Sequence, residues 1–207
     1  MLNLWVLLCA IAWQQVQAQD GSVLVLEIEG PVTPAMASYF ERGIAAAEET
    51  GATAVLIVLD TPGGNLDPTQ DIVQLLRTSS VPVIVYIGPR GAQAASAGSI
   101  ITLAAHASGM APETVIGAAS PVGDGGAELE ETISRKLIED LPHRCRASLA
   151  ARRGEAAVAL AEKEMIEDAR AVTADEALEI GLIDVVAVDI PDLLRQLDGP
   201  GCVGGWQ

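Results

Sequence analysis

Three runs of β-branched residues and leucine, at 23–28, 54–59 and 81–87, recur through the first half of this chain, separated by segments whose apolar residues keep helical spacing. A run that is apolar throughout has no solvent face, so each reads as a strand buried on both sides, as in a parallel sheet. Residues 33–50 follow a Thr-Pro helix start, and residues 67–77 set Ile72, Leu75 and Leu76 on one stripe. The order strand, helix, strand, helix, strand implies right-handed βαβ crossovers. The expected fold is therefore α/β, a parallel sheet with flanking helices.

Residues 91–112 carry no formal charge across 22 positions and are rich in Ala, Gly and Ser. Gln93, Ser96, Ser99, His106 and three glycines argue against a membrane span, and the segment is expected to be a helix buried on all sides. A short strand near Val115 comes next, then a loop at 120–127 whose Gly123, Gly125 and Gly126 mark it as the candidate lid. Helices are expected at 129–150, 155–168 and 174–180, a strand at 182–188 and a short helix at 191–197. The glycine-rich residues 198–207 read as a disordered tail, and neither an internal repeat nor a second domain is visible.

Residues 1–18 have no charged side chain, and Leu4 to Trp13 form an apolar run of ten. Spanning a bilayer takes roughly 20 apolar residues, so the run reads as the core of a signal peptide, with cleavage expected after Ala18 and a retained anchor as the alternative. The expectation is an exported, periplasmic or otherwise extracytoplasmic protein with one domain over residues 19–197. The formal charge of −16 lies wholly after residue 18 and repels phosphates, which speaks against nucleic acid and against an anionic bilayer surface. Removal of the leader takes Cys9 with it. Cys145 and Cys202 then remain, free to pair in an oxidising compartment without being required to. Two cysteines with His106 and His143, at no ligand spacing, make no zinc site, and no motif implies a cofactor.

Chemistry is expected where buried strands end. Asp60, Thr61, Pro62, Gly63 and Gly64 occupy such a position, where paired glycines turn a backbone N–H outward; the segment reads either as half of an oxyanion hole or as a plain Pro-Gly turn. Ala94, Ala95, Ser96, Ala97 and Gly98 open the uncharged segment after the third strand. A serine there gains from the helix dipole as a nucleophile, or serves simply as a cap, with Ser99 one turn on as its competitor.

Taken together, the two motifs resemble the paired signatures of ClpP-class serine peptidases in the ClpP/crotonase superfamily, and more closely the NfeD family of membrane-associated serine proteases. The likeness covers residues 23–194 and includes 60–64, 91–98, Met110 to Pro112, Ile116 to Ala119 and 178–184. It implies a nucleophile at Ser96, an oxyanion hole from the backbone of Gly64 and Ala97, substrate contacts at Gly63 and Asn65, and a lysine base on the helix after the glycine-rich loop. It also implies a polypeptide substrate with hydrophobic segments, notably a stomatin-like membrane protein, and a homodimer or higher homo-oligomer.

The base is chosen from a short list. A ClpP-like histidine would stand just before Pro121, but Ala119 and Ser120 are there. His106, ten residues beyond Ser96 on the expected helix, is too far to reach it. His143 follows Pro142, which ends or kinks a helix. Lys163 lies among Glu162, Glu164 and Glu167, which favour its charged form. Lys136 borders an apolar stripe beside Ile133 and Leu137, where desolvation lowers an ammonium pKa toward the range a base needs. Its plainer reading is a snorkelling lysine paired with Glu139 or Asp140. The expected activity is thus a Ser-Lys serine endopeptidase; the rivals are a crotonase-fold acyl-CoA enzyme and a catalytically inactive assembly module.

Overall fold

A computed structural model describes residues 21–117 and 170–198. The expected signal peptide, the lid loop, the helices at 129–150 and 155–168, the tail, and Lys136, His143, Lys163, Cys145 and Cys202 lie outside the described residues.

The described chain opens with strand β1 (Val23–Glu29), helix α1 (Pro34–Thr50), β2 (Ala54–Asp60), α2 (Leu66–Thr78) and β3 (Val83–Ile87). Helix α1 begins where Thr33 accepts a hydrogen bond from the Met36 N–H at 3.3 Å and Pro34 pre-sets the first turn. It ends at Gly51 in the left-handed conformation, whose N–H returns to the last turn. β1, β2 and β3 pair in parallel, as the apolar runs require. Strand β5 (Ala107–Met110) and the two-residue β8 (Val185–Val186) complete a five-stranded parallel sheet in the order β1-β2-β3-β5-β8.

Alternate residues of the central strands feed opposite faces. Val55, Ile57, Leu59, Val83, Val85 and Ile87 pack with Phe40, Ile72, Leu76 and Ile101 from the helices on one side. Leu56, Ile84 and Tyr86 face the other side, where Leu193 and Leu197 of helix α5 (Ile190–Leu197) cover them. That double burial is why β2 and β3 are apolar at nearly every position, whereas β1 at the sheet edge alternates exposed and buried residues.

The uncharged stretch at 91–112 departs from the expected single helix. It forms β4 (Gln93–Ala95), helix α3 (Ala97–Ala104) and β5. Uncharged residues, small or apolar at nearly every position, carry no period, so burial alone cannot tell strand from helix there. Tertiary hydrogen bonds decide it: Thr61 N–H donates to Gln93 O at 2.7 Å and Ala95 N–H to Thr61 O at 3.0 Å, drawing 93–95 into extended form. Beyond α3, β5 docks along β3. His106 therefore stands on no helix with Ser96. It lies at the far side of α3, with its Nδ1 accepting from the Val83 N–H at 3.2 Å.

Strand β6 (Val115–Gly117) forms where expected, pairing with β4 in parallel and with β7 (Ala171–Thr173) antiparallel in a three-stranded sheet. The three residues of β7 are too few to carry a pattern of their own. Thr173 then caps helix α4 (Ala174–Glu179) reciprocally with Glu176. The strand expected at 182–188 shrinks because Leu182 and Ile183 give their N–H groups to Ala177 O, winding off the end of α4. Among the described residues no helix is long and apolar enough to cross a membrane.

Phe40 is fully buried under the sheet and is the single phenylalanine of the chain. Phe40→Ala is expected to cost about 3–5 kcal/mol of unfolding free energy in urea titration. Tyr86 donates its hydroxyl to Ala187 O at 2.9 Å, and burial, then Asp189 and Asp192, raise its phenol above the ordinary value. With the folded value raised, its contribution is complete below the unfolded pKa of about 10 and is lost as pH rises through the folded one. Denaturation across alkaline pH should show stability falling for wild type and a flatter decline for Tyr86→Phe.

Candidate active site

Four segments converge at the carboxyl ends of β2 and β3: the turn 61–65 after β2, Val32 just before α1, strand β4 and the first turn of α3. The junction of β4 and α3 is Ser96. Its main chain is held on both sides, the N–H by Gly117 O at 2.9 Å and the C=O by the Ser99 N–H at 3.0 Å and the Ser99 hydroxyl at 2.6 Å. Held so, Ser96 adopts φ 51 and ψ −113, a positive-φ geometry that residues other than glycine rarely take. Such residues carry on the order of 1–3 kcal/mol of strain and concentrate at functional sites.

The same geometry separates the two readings of Ser96. It stands at the N-cap position of α3, yet its side chain makes no capping hydrogen bond. Its hydroxyl is half-buried and donates to no atom among the described residues. Ser99 is the structural serine of the pair: it is buried, and its hydroxyl is committed to the Ser96 carbonyl. Sequence spacing alone leaves those two open.

The glycine turn lies directly against this serine. Gly63 has φ 105, and a Cβ on it would lie 2.7 Å from Ser96 Cβ and 3.3 Å from Ser96 Oγ. Only a residue with no side chain lets the turn approach that closely. Gly64 is exposed and sits against Val32, whose backbone a Cβ on Gly64 would strike. The Gly64 and Ala97 N–H groups, both expected oxyanion donors, give no hydrogen bond to any acceptor among the described residues. Ala97 is the first residue of α3, where N–H groups have no intrahelical partner and the dipole favours negative charge. Asn65 caps α2 with its backbone but spends no side-chain hydrogen bond on the cap, leaving an exposed amide beside Gly64.

Two contributors escape a reading of the sequence. Gly117 supplies the carbonyl that holds the Ser96 N–H, and Val32 bridges to Gly64. Both act through backbone atoms, for which residue type is a poor signal. Among the described residues no group of three His, Cys, Asp or Glu is placed to hold a metal ion. Lys136 lies outside the described residues, so the described part of the site consists of a serine and backbone donors.

The chain has counterparts among known proteins. Residues 22–200 match the family model described as NfeD1b, N-terminal domain. The chain is 40% identical over 182 residues to the membrane-bound protease PH1510 of Pyrococcus horikoshii, covering 86% of this chain and 40% of that protein. It is 29% identical over 192 residues to the membrane protein NfeD1b of Bacillus subtilis, covering 87% of this chain and 42% of the relative. The chain thus spans about two fifths of the length of these curated relatives. Among solved structures it matches the 1510-N membrane-bound stomatin-specific protease, as a lysine-to-alanine mutant in complex with a substrate peptide, at TM-score 0.77 and 37% identity over 89% of this chain and 86% of that one. A serine-to-alanine mutant of 1510-N matches at TM-score 0.76 and 39% identity, with 86% of each chain covered. A ClpP1 mutant from Listeria monocytogenes, at 20% identity and TM-score 0.63 over 82% of this chain and 94% of that one, shares the fold.

Gly63→Ala should place a side chain in strained backbone and against Ser96. Labelling of the protein by a fluorophosphonate is expected to fall by at least roughly tenfold, with about 1–3 kcal/mol lost in thermal or urea unfolding; Ser99→Ala should leave Ser96 open to the reagent.

Proposed function

The chain belongs to the NfeD1b N-terminal domain family, and from that premise we propose that it is a serine endopeptidase using Ser96 as nucleophile and Lys136 as general base. The observation that carries this reading is Ser96 itself: a strained residue at a helix N-terminus, its hydroxyl donating to no atom among the described residues, pressed against a glycine turn whose Gly64 N–H has no acceptor among them either.

In the proposed cycle Lys136, neutral in a desolvated setting, takes the Ser96 proton as Oγ attacks the peptide carbonyl. The N–H groups of Gly64 and Ala97 receive the oxyanion, and Gly63 and Asn65 flank the bound polypeptide. The Lys136 ammonium then protonates the leaving amine, and water, deprotonated by the same lysine, releases the acyl group from Ser96. A backbone oxyanion hole demands no metal or cofactor for these steps. The similar 1510-N structures are of a protease with a serine or a lysine replaced by alanine, the second with a substrate peptide bound, and they support the protease part of this reading.

The substrate proposed is a hydrophobic segment of a membrane protein, with a stomatin-like protein first, because the 1510-N relative is described as stomatin-specific. The site is assigned to the extracytoplasmic side, on the apolar leader of residues 1–18, and the working assembly to a homodimer or higher homo-oligomer.

Fluorophosphonate labelling and hydrolysis of a stomatin-like peptide test the assignment together. Ser96→Ala should abolish labelling and lower kcat by a factor on the order of 10^4 or more. Lys136→Ala should lower both, with partial recovery at high pH, where hydroxide replaces the base. Labelling that persists in Ser96→Ala would remove the peptidase reading, and full activity in Lys136→Ala would move the base to another group.

A further inference from the structure

Thr61 makes no appearance in the proposed chemistry, yet it touches each described segment that does. It is fully buried at the end of β2. Through its backbone it binds both ends of β4, the strand that runs into Ser96: its N–H donates to Gln93 O at 2.7 Å and its C=O accepts from Ala95 N–H at 3.0 Å. Through its hydroxyl it binds the glycine turn, Oγ1 accepting from the Gly63 N–H at 3.1 Å and lying 3.3 Å from Gly63 O. Its methyl group lies under the first turn of α3, where a Cβ on Gly98 would stand 2.5 Å from Thr61 Cγ2.

The hydroxyl has a directional consequence. A trans peptide is planar, and its C=O and N–H point to opposite sides. The Gly63 carbonyl and the Gly64 N–H belong to one such unit. Gly63 O is fixed by the Val32 N–H at 2.8 Å and approached by Thr61 Oγ1, so the Gly64 N–H must face away from both. Paired glycines otherwise rotate this peptide with little steric penalty. The Gly63 N–H, anchored to the same hydroxyl, closes the remaining freedom on the other side of Gly63.

We infer that Thr61 is a positioning residue, whose hydroxyl holds the Gly63–Gly64 peptide with the Gly64 N–H presented to an oxyanion while its methyl seats the helix that begins after Ser96. The inference rests on the peptidase reading for its catalytic consequence and on geometry alone for the clamp. Both halves of the side chain are used, and neither serine nor valine supplies both. Strand β4 is held by the Thr61 backbone and by the preceding Asp60, whose Oδ1 accepts from the Gln93 N–H at 3.0 Å, so removing the Thr61 hydroxyl leaves β4 attached.

The test compares Thr61→Val, which keeps the methyl and the volume, with Thr61→Ser, which keeps the hydroxyl. On a fluorescence-quenched apolar decapeptide, Thr61→Val is expected to lower kcat by roughly 10- to 100-fold with KM within about threefold, because an oxyanion donor acts in the transition state. Thr61→Ser should recover most of the loss. A Thr61→Val kcat within about threefold of wild type, or a Thr61→Ser no better than Thr61→Val, would overturn the assignment. Amide hydrogen exchange reads the clamp without activity: protection of the Gly63 N–H should drop at least roughly tenfold in Thr61→Val and persist in Thr61→Ser. Unchanged protection in Thr61→Val overturns the clamp. A wild type that neither cleaves the peptide nor labels at Ser96 would instead remove the peptidase reading, with the exchange result still deciding the role of Thr61.

Discussion

The site depends on one short backbone pairing, the two hydrogen bonds by which Thr61 grips β4. β2 ends in the glycine turn and β4 ends in Ser96, so the bonds join the two pieces of apparatus at their roots. Parallel pairing makes this natural. Strands running the same way finish at the same edge, so the segment leaving one strand meets the segment leaving its neighbour. The rigidity comes from behind, since β2 and β3 are buried on both faces and cannot shift register without moving a packed core.

Strain at Ser96 results from that arrangement. An L residue at φ 51 relaxes unless its neighbours prevent it, and here Gly117 O holds the N–H while Ser99 holds the carbonyl. Ser99 thereby acquires a clear task without being a second nucleophile. Close approach by Gly63 has the same origin, because the turn can lie on Ser96 only where no Cβ intervenes. A serine whose backbone is committed and whose hydroxyl donates to no atom among the described residues is not spent on capping its helix, and that is the feature on which the proposed role of Ser96 rests.

Much of the fold is legible from the chain because burial leaves a period when only one face is buried, and a run when both are. β1 through β3, α1 and α2 lie close to the limits their patterns mark. The stretch at 91–112 reads wrongly as one helix because an uncharged series of mostly small and apolar residues satisfies both patterns equally. Its division into β4, α3 and β5 depends on partners at 60–61 and 83–87, distant in sequence. The ground for setting His106 aside changes, since it stands beyond the end of α3 with its ring accepting a hydrogen bond from the first residue of β3.

Local composition and spacing by themselves determined the class of fold, the place of Ser96 after a strand, and the glycine turn. Tertiary structure decided which serine hydroxyl has no acceptor, and which N–H groups have none, among the described residues, and that Thr61 joins turn, strand and helix. Those depend on where backbone atoms of remote segments meet, and backbone atoms are common to every residue type, so a string of side chains does not encode them position by position.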